Sequence, residues 1–239
     1  MSKIYFLFEF ILFLTIFKNV MTSEGVSIQE KWYRISQFKC LKEKYSIEFI
    51  IINANYQNIG TIDDNAELNI LNARTAGIEN IDIYITPCVD PSSYPAYQLL
   101  CGDARKFITS ILDNLDERNA KVGRVWLYIY GLVGCDTYDD WNKKNKTENI
   151  EFIDKMVNTI KERNQTFGFF TDKYNWHEIT GNTRKYNNTP LFYSHKDGKN
   201  NFDDYNEFGY PFGGWEKPTM KEYNSSTICD IVVTNILQI

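Results

Sequence analysis

The sequence predicts an α/β fold: a modified (β/α)8-type (TIM-like) barrel whose later helices are short or missing. About eight apolar or aromatic segments have the length and composition of strands. Segments with apolar residues three and four apart, typical of helices, separate most of the early strands. Repeated β-α units imply a parallel sheet with right-handed crossovers, which favours a barrel; a doubly wound open sheet is the rival.

The first half of the chain alternates strand and helix. The predicted strands are "GVSI", "IEFIIINANY" and "NIDIYITPC", and the predicted helices are "RISQFKCLKEK", "TIDDNAELNILNARTAG" and "GDARKFITSILDNLDERN". The second helix has acidic residues in its first turn and Gly77 at its end, as helix termini favour. The third places apolar residues on one face.

The fourth strand, "GRVWLYIYG", has an unusual face. Because strand side chains alternate, its aliphatic residues point one way, and Trp126, Tyr128 and Tyr130 point the other. After it we predict the helix "TENIEFIDKMVNTIKERN", with Thr147 as N-cap, the strand "TFGFFT" and the short helix "YNWHEITG". The last predicted strands are "PLFYSHK", "TMKEYN" and "CDIVVTNI".

In such a barrel, function lies at the carboxyl ends of the strands. The residues predicted there are Ser27, Asn53, Asn55, Tyr84, Thr86, Tyr128, Tyr130, Thr171, Asp172, Tyr193, His195, Thr234 and Asn235.

Residues 1–23 have the pattern of a secretory signal peptide, which leaves residues 24–239 as a single domain. Lys3 gives a basic start, an apolar run follows, and Thr22 and Ser23 are small residues at a plausible cleavage point. The alternative is an uncleaved membrane anchor, but the run is shorter than the ~20 residues that span a bilayer. We therefore expect a secreted, extracellular protein.

Sequons and cysteines agree with export. Four Asn-x-Ser/Thr sequons, predicted glycosylation sites, begin at Asn145, Asn164, Asn187 and Asn224. The five cysteines suggest two disulfides and one leftover thiol, and spacing alone leaves the pairing open. We expect Cys88–Cys101 as a local clasp and Cys40–Cys229 as a tie to the last strand. Cys135 is then free or pairs with one of the others.

The composition argues against several classes of partner and cofactor. The net charge of −5 argues against nucleic acid. The sequence has no Cys-x-x-Cys motif or Cys/His cluster that would suggest zinc, and we predict no metal and no cofactor. No segment after the leader is long and apolar enough to cross a membrane, so we expect no stable membrane insertion after cleavage, and a monomer.

Several blocks resemble the nematode lysozymes of glycoside hydrolase family 25. They are "FKCLKEK", "DDNAELNILNARTAG", "IDIYITPC", "VGRVWLYIYG" and, most specifically, "GFFTDKYNWHEITG" and "FGGWEKPTMKEY". The similarity runs from about Gly25 to the C-terminus. It implies a modified barrel, secretion, and a role in peptidoglycan cleavage or innate defence.

The resemblance also implies positions for catalytic acids. In that family an Asp lies on the first strand and an Asp-x-Glu closes the fourth, with the Glu as acid. Here those positions hold Ser27, Tyr128 and Tyr130. Glycoside hydrolysis usually needs two carboxyl groups, and tyrosine, with a reference pKa near ~10, is a poor acid. Asp136 and Asp172 are candidate substitutes, although loop aspartates are more often turn formers.

Aromatic residues then define a candidate glycan cleft, because sugars present C–H faces to rings and hydroxyls to polar tips. The candidates are Tyr56, Tyr84, Trp126, Tyr128, Tyr130, Tyr193 and His195. The competing interpretation is that these rings simply fill the barrel.

Three hypotheses follow. The first is a secreted lysozyme-like protein with a degraded catalytic site and a retained glycan-binding cleft, a pseudoenzyme linked to innate immunity. The second is an active muramidase with displaced acidic residues. The third is a non-enzymatic secreted glycoprotein that presents the late segment "FDDYNEFGYPFGGW" to a protein partner.

Overall fold

The computed structural model describes residues 22–29, 31–56, 60–90, 100–131, 140–207 and 211–239. Within them lie eight strands: β1 (Ser23–Ile28), β2 (Phe49–Asn53), β3 (Asn80–Ile85), β4 (Arg124–Tyr128), β5 (Thr166–Thr171), β6 (Leu191–Ser194), β7 (Met220–Ile228) and β8 (Ile231–Gln238). The α-helices are α1 (Ile35–Tyr45), α2 (Asp64–Thr75), α3 (Ala104–Glu117), α4 (Lys146–Glu162) and α5 (Lys173–Thr180). Short 3₁₀ turns occupy Asp140–Lys143 and Asp203–Asn206.

The strands close into one barrel in the order β1 to β8, which confirms the predicted fold class. Strands β1 to β7 are parallel to their sequence neighbours, but β8 runs antiparallel to both β7 and β1. The expectation of a parallel sheet is therefore wrong for the last strand. Cys229 and Asp230 form a two-residue turn with φ of 52° and 60° that reverses the chain without a crossover helix.

Apolar side chains form two clusters, one on each face of the sheet. The aliphatic face of β4, including Val125 and Leu127, packs in the larger cluster with the helices. The opposite face belongs to a smaller cluster inside the barrel, whose buried members are Phe49, Ile51, Tyr84, Trp126, Phe170, Phe192, Met220 and Ile236. The predicted alternation of β4 is confirmed, and its aromatic face is the barrel interior.

Helix α4 corrects one predicted boundary. Its N-cap is Asn145, and Thr147 lies inside the helix. The Oδ1 atom of Asn145 accepts hydrogen bonds from the backbone N–H groups of Thr147 and Glu148, both at 3.0 Å. The Glu148 carboxylate accepts from the Asn145 N–H at 2.9 Å, completing a capping box. Asparagine caps more strongly than threonine, so the earlier residue starts the helix.

Both expected disulfides are present: Cys40–Cys229, which ties α1 to the β7–β8 turn, and Cys88–Cys101. Cys135 lies outside the described residues.

The four sequon asparagines are all exposed, so each is open to a modifying enzyme.

Most of the N-terminal segment lies outside the described residues, which begin at Thr22. Ser23 is the first residue of β1. Among the helices that are described, none is both long and apolar enough to span a bilayer.

Candidate functional site

The carboxyl ends of β1 to β7 open at one end of the barrel, here called the mouth. Two tyrosines lie there. The rings of Tyr128 and Tyr130 stack with centroids 5.1 Å apart and planes inclined by 16°. Toward the barrel interior, the Tyr128 ring stacks on Phe170 at 4.2 Å and contacts Tyr84 edge to face at 5.9 Å. Tyr128 thus closes the apolar interior, and Tyr130 lies above it, half-buried.

Both tyrosine hydroxyls keep their protons at neutral pH. Burial raises the pKa of Tyr128 well above its usual value, and the negative charge of Glu222 adds to the effect. The pKa of Tyr130 is also raised, first by burial and then by the charges of Asp172 and Glu222. Among the described residues, neither hydroxyl donates a hydrogen bond to a carboxylate that could serve as its base. The pair is polar, aromatic and uncharged.

Asp172 is held beside these tyrosines by Asn175. Asp172 is the N-cap of α5, and its Oδ1 accepts from the Asn175 N–H at 2.8 Å. The Asn175 side chain donates to Asp172 Oδ2 at 2.5 Å and accepts from the Gly131 N–H at 2.9 Å. One buried amide therefore joins the end of β5 to the residue that follows Tyr130.

A second carboxylate at the mouth, Glu222, was missed from the sequence. It lies on β7 two residues after Met220. Because strand side chains alternate, both side chains point into the barrel. It is buried, accepts a hydrogen bond from the Ser194 hydroxyl and pairs with Lys196 Nζ at 3.3 Å. The signal was the alternation within "TMKEYN", which places the glutamate on the inner face once the strand is accepted.

The remaining inner positions at the mouth are neutral. Ser27, where the family resemblance implies an Asp, is 7 % exposed and pairs in register with Ile51 of β2 and Thr234 of β8. Nearby, the Asn55 side chain binds both the N–H and the C=O of Thr86 at 2.9 Å, which joins the loops that follow β2 and β3.

Three predicted cleft residues do not line the mouth. Trp126 is 0 % exposed inside the barrel, and its Nε1–H donates to Asp82 Oδ2 at 2.9 Å, so it fills the core. Tyr193 alternates with the inward Phe192 and points outward, where its hydroxyl donates to Asp204. His195 also contacts Asp204, through Nδ1 at 2.6 Å. Strand alternation turns Tyr193 and His195 outward, whereas Trp126 points inward but lies too deep in the barrel to reach the mouth.

The predicted cleft residues Tyr84, Tyr128 and Tyr130 do face the barrel or its mouth, with Tyr84 buried in the interior. Tyr56 is half-buried in the β2–α2 connection, on the mouth side. Asp136 lies outside the described residues.

An outer cluster, consisting of His195, Asp197, Asp204, Lys221 and Tyr193, fastens the β6–β7 connection to the barrel. The buried Lys221 Nζ contacts Asp197 at 2.9 Å and Asp204 at 2.7 Å. His195, Asp197 and Asp204 could offer ligand atoms within 4.8 Å of one another. However, the Lys221 ammonium already contacts both carboxylates, so the arrangement is that of an ion-pair network.

The late segment "FDDYNEFGYPFGGW" packs largely inward. Tyr205, Phe212 and Trp215 are all buried, and the Tyr205 hydroxyl donates to the Trp215 carbonyl at 3.0 Å. Residues 208–210 lie outside the described range. The described part of this segment therefore contributes core packing and offers little apolar surface to a protein partner.

A closed barrel whose polar and aromatic side chains gather at the carboxyl ends of its strands is the arrangement in which (β/α)-barrel proteins carry their sites. A family model described as Lysozyme-like protein 1 matches residues 22–223. The chain belongs to this lysozyme-like family of glycoside hydrolase family 25 type. It is 32% identical over 214 residues to Probable GH family 25 lysozyme 2 of Dictyostelium discoideum, covering 90% of this chain and 89% of the relative. It is 28% identical over 222 residues to Lysozyme-like protein 5 of Caenorhabditis elegans, covering 92% and 93%.

Solved structures share the fold. A family GH25 lysozyme from Aspergillus fumigatus superposes with a TM-score of 0.65 at 15% identity, covering 92% of this chain and 94% of that one. The modular autolysin LytC from Streptococcus pneumoniae, solved with a synthetic peptidoglycan ligand, superposes with a TM-score of 0.67 at 14% identity, covering 91% and 47%.

Proposed function

We propose that this protein is a secreted member of the lysozyme-like family that binds a peptidoglycan-type glycan at the barrel mouth without hydrolysing it. One observation carries the proposal: Tyr128 and Tyr130 stand, as a neutral stacked pair, where the family resemblance implies Asp-x-Glu. A neutral phenol whose pKa is raised can neither protonate a leaving oxygen efficiently nor stabilise positive charge on the sugar. It can still pack on a sugar face and hydrogen-bond its hydroxyls.

The two carboxylates at the mouth favour a second candidate function, muramidase activity with displaced acids. Asp172 and Glu222 both lie close enough to Tyr130 to raise its pKa. Their contacts, however, are those of acceptors. Asp172 accepts through both oxygens, and Glu222 accepts from Ser194 and pairs with Lys196. Both carboxylates are thus engaged as hydrogen-bond acceptors, whereas the reaction needs a carboxyl group that protonates the leaving oxygen.

We also propose that the protein is secreted and acts in defence against bacteria. The signal-like leader, the four exposed sequons and the two disulfides support export, because disulfides persist in oxidising compartments. A secreted protein that holds bacterial wall glycan without cutting it would act as a recognition or decoy factor against bacteria.

Binding to insoluble peptidoglycan tests the proposal. Purified protein should sediment with the polymer, and Tyr130→Leu should lower the bound fraction because it removes the half-buried ring and its hydroxyl. Tyr45→Leu is the control, since Tyr45 is an exposed tyrosine that ends α1, at the opposite end of the barrel. Equal binding by wild type and Tyr130→Leu would overturn the assignment of the mouth as the binding site.

A further inference from the structure

Asp172, a half-buried acid at the mouth, has no cationic partner among the described residues. Glu222 pairs with Lys196, and Asp197 and Asp204 share Lys221. Asp172 instead contacts only the neutral amide and backbone of Asn175 and pairs with no lysine or arginine in the part of the chain that is described. Within the described ranges, no cation therefore compensates this carboxylate at the mouth.

The aromatic ring of Tyr130, beside Asp172, also favours contact with a cation. Ring faces carry negative charge density and attract ammonium and guanidinium groups. Elsewhere in the described structure such groups do lie over rings, as Lys221 does over Tyr193 and Lys185 over Tyr186. The Tyr128 ring is stacked between Phe170 and Tyr130, but Tyr130 is only half-buried, and no described cation lies over it.

The backbone fixes these two features side by side. Asn175 donates to Asp172 with its amide nitrogen and accepts from the Gly131 N–H with its amide oxygen, so it links the carboxylate to the end of β4. The raised pKa of Tyr130 has the charge of Asp172 among its causes, after burial, which agrees with this proximity. A preorganised carboxylate beside an aromatic face is the pairing that proteins use to recognise ammonium groups.

We infer that the mouth selects glycans that carry a free, protonated amino group, that is, de-N-acetylated amino sugars, through the carboxylate of Asp172 and the ring of Tyr130. This inference rests on the proposed glycan binding and names its specificity. An N-acetylated sugar offers Asp172 only a neutral amide N–H. An ammonium offers a charge-assisted hydrogen bond, which is about twice as strong.

The test compares glucosamine oligomers with N-acetylglucosamine oligomers of the same length by titration calorimetry at mildly acid pH. There the amine of the glucosamine oligomer is charged. Wild type should bind the glucosamine oligomer on the order of tenfold more tightly. Asp172→Asn should reduce that preference to near unity while retaining N-cap chemistry. Glu151→Gln removes one exposed charge from α4 and should keep the preference, which controls for net charge.

Tyr130→Leu keeps the inference testable if Asp172→Asn fails to fold, because it leaves Asp172 and the α5 cap in place. It should also lower the preference for the glucosamine oligomer. Equal wild-type binding of both oligomers would overturn the inference and leave the proposed function standing. A wild-type protein that binds neither oligomer nor peptidoglycan would overturn both.

Discussion

Asp172 and Gly131 lie on neighbouring strand ends and are joined through the single side chain of Asn175, at 2.5 and 2.9 Å. This bridge places a carboxylate beside the stacked tyrosines of β4. The barrel mouth therefore keeps negative charge next to its aromatic surface, although the first and fourth strands supply no acid there.

The two tyrosines of β4 should separate stability from binding. Tyr128→Ala should lower the free energy of unfolding by about 3 kcal/mol or more, because it removes a ring packed on Phe170 and Tyr84. Tyr130→Ala should cost less than about 1 kcal/mol, because half-buried side chains at a rim lose little packing. Urea denaturation of both variants measures the difference; similar losses would show that Tyr130 is a core residue.

The two disulfides should contribute unequally. Cys40 and Cys229 are 189 residues apart, whereas Cys88 and Cys101 are 13 apart. In the chain-entropy account the longer loop restricts the unfolded chain more, by about 2 kcal/mol. The double variant Cys40→Ala/Cys229→Ala should therefore unfold at lower denaturant than Cys88→Ala/Cys101→Ala. The reverse order would indicate that local strain or residual structure outweighs loop entropy.

Acid should weaken the outer cluster. Burial alone would raise the pKa of Asp204, but hydrogen bonds from Lys221, His195 and Tyr193 outweigh it and hold the pKa below its usual range. A depressed folded-state pKa means that the stabilisation is complete above the unfolded value of ~3.9 and is lost as pH falls through the folded value.

The measurement is the free energy of unfolding between about pH 5 and pH 2, where the wild type should lose stability. Asp204→Asn should lower the stability near neutral pH and flatten this acid dependence. Asp203→Asn, at the exposed neighbouring position, should leave the curve unchanged. An Asp204→Asn curve as steep as that of wild type would assign the acid loss to other groups.

Asn145 is both a helix cap and a sequon, and two substitutions distinguish these roles. Asn145→Ala should remove the cap and cost about 1 kcal/mol, whereas Asn145→Asp should preserve it. Both remove the sequon. If Asn145 carries a glycan in the secreted protein, both variants should migrate faster on a gel by the same step. Unchanged migration would mean that the site is not occupied.

Alternation along single strands predicted the fold better than it predicted the site. Apolar segments and helical periodicity placed the strands and helices, and "GRVWLYIYG" was correctly divided between helix-facing and barrel-facing sides. The antiparallel direction of β8 was missed. The turn of Cys229 and Asp230 that joins β7 to β8 is too short for the crossover that a parallel strand would need.

The site required three-dimensional information. Tyr193 and His195 end a strand, which made them candidates, but they lie on its outer side in contact with Asp204. Glu222 lies on the predicted strand "TMKEYN", but alternation alone does not say which face of that strand points inward; the register with Ser194 does. The partnership of Asp172 with Asn175 is local, but its link to Gly131 spans 44 residues and appears only after folding.

The most direct test of the account is whether bound peptidoglycan is cut. Purified protein is incubated with dye-labelled insoluble peptidoglycan across about pH 4 to 8, the range in which carboxylate catalysis normally operates. Bound protein and soluble dye are then measured in the same tube, with an active muramidase as positive control. The account predicts saturable binding with no release of dye above the background of buffer alone. Sustained release that is abolished by Asp172→Asn or Glu222→Gln in a folded variant would contradict it and establish the displaced-acid muramidase instead.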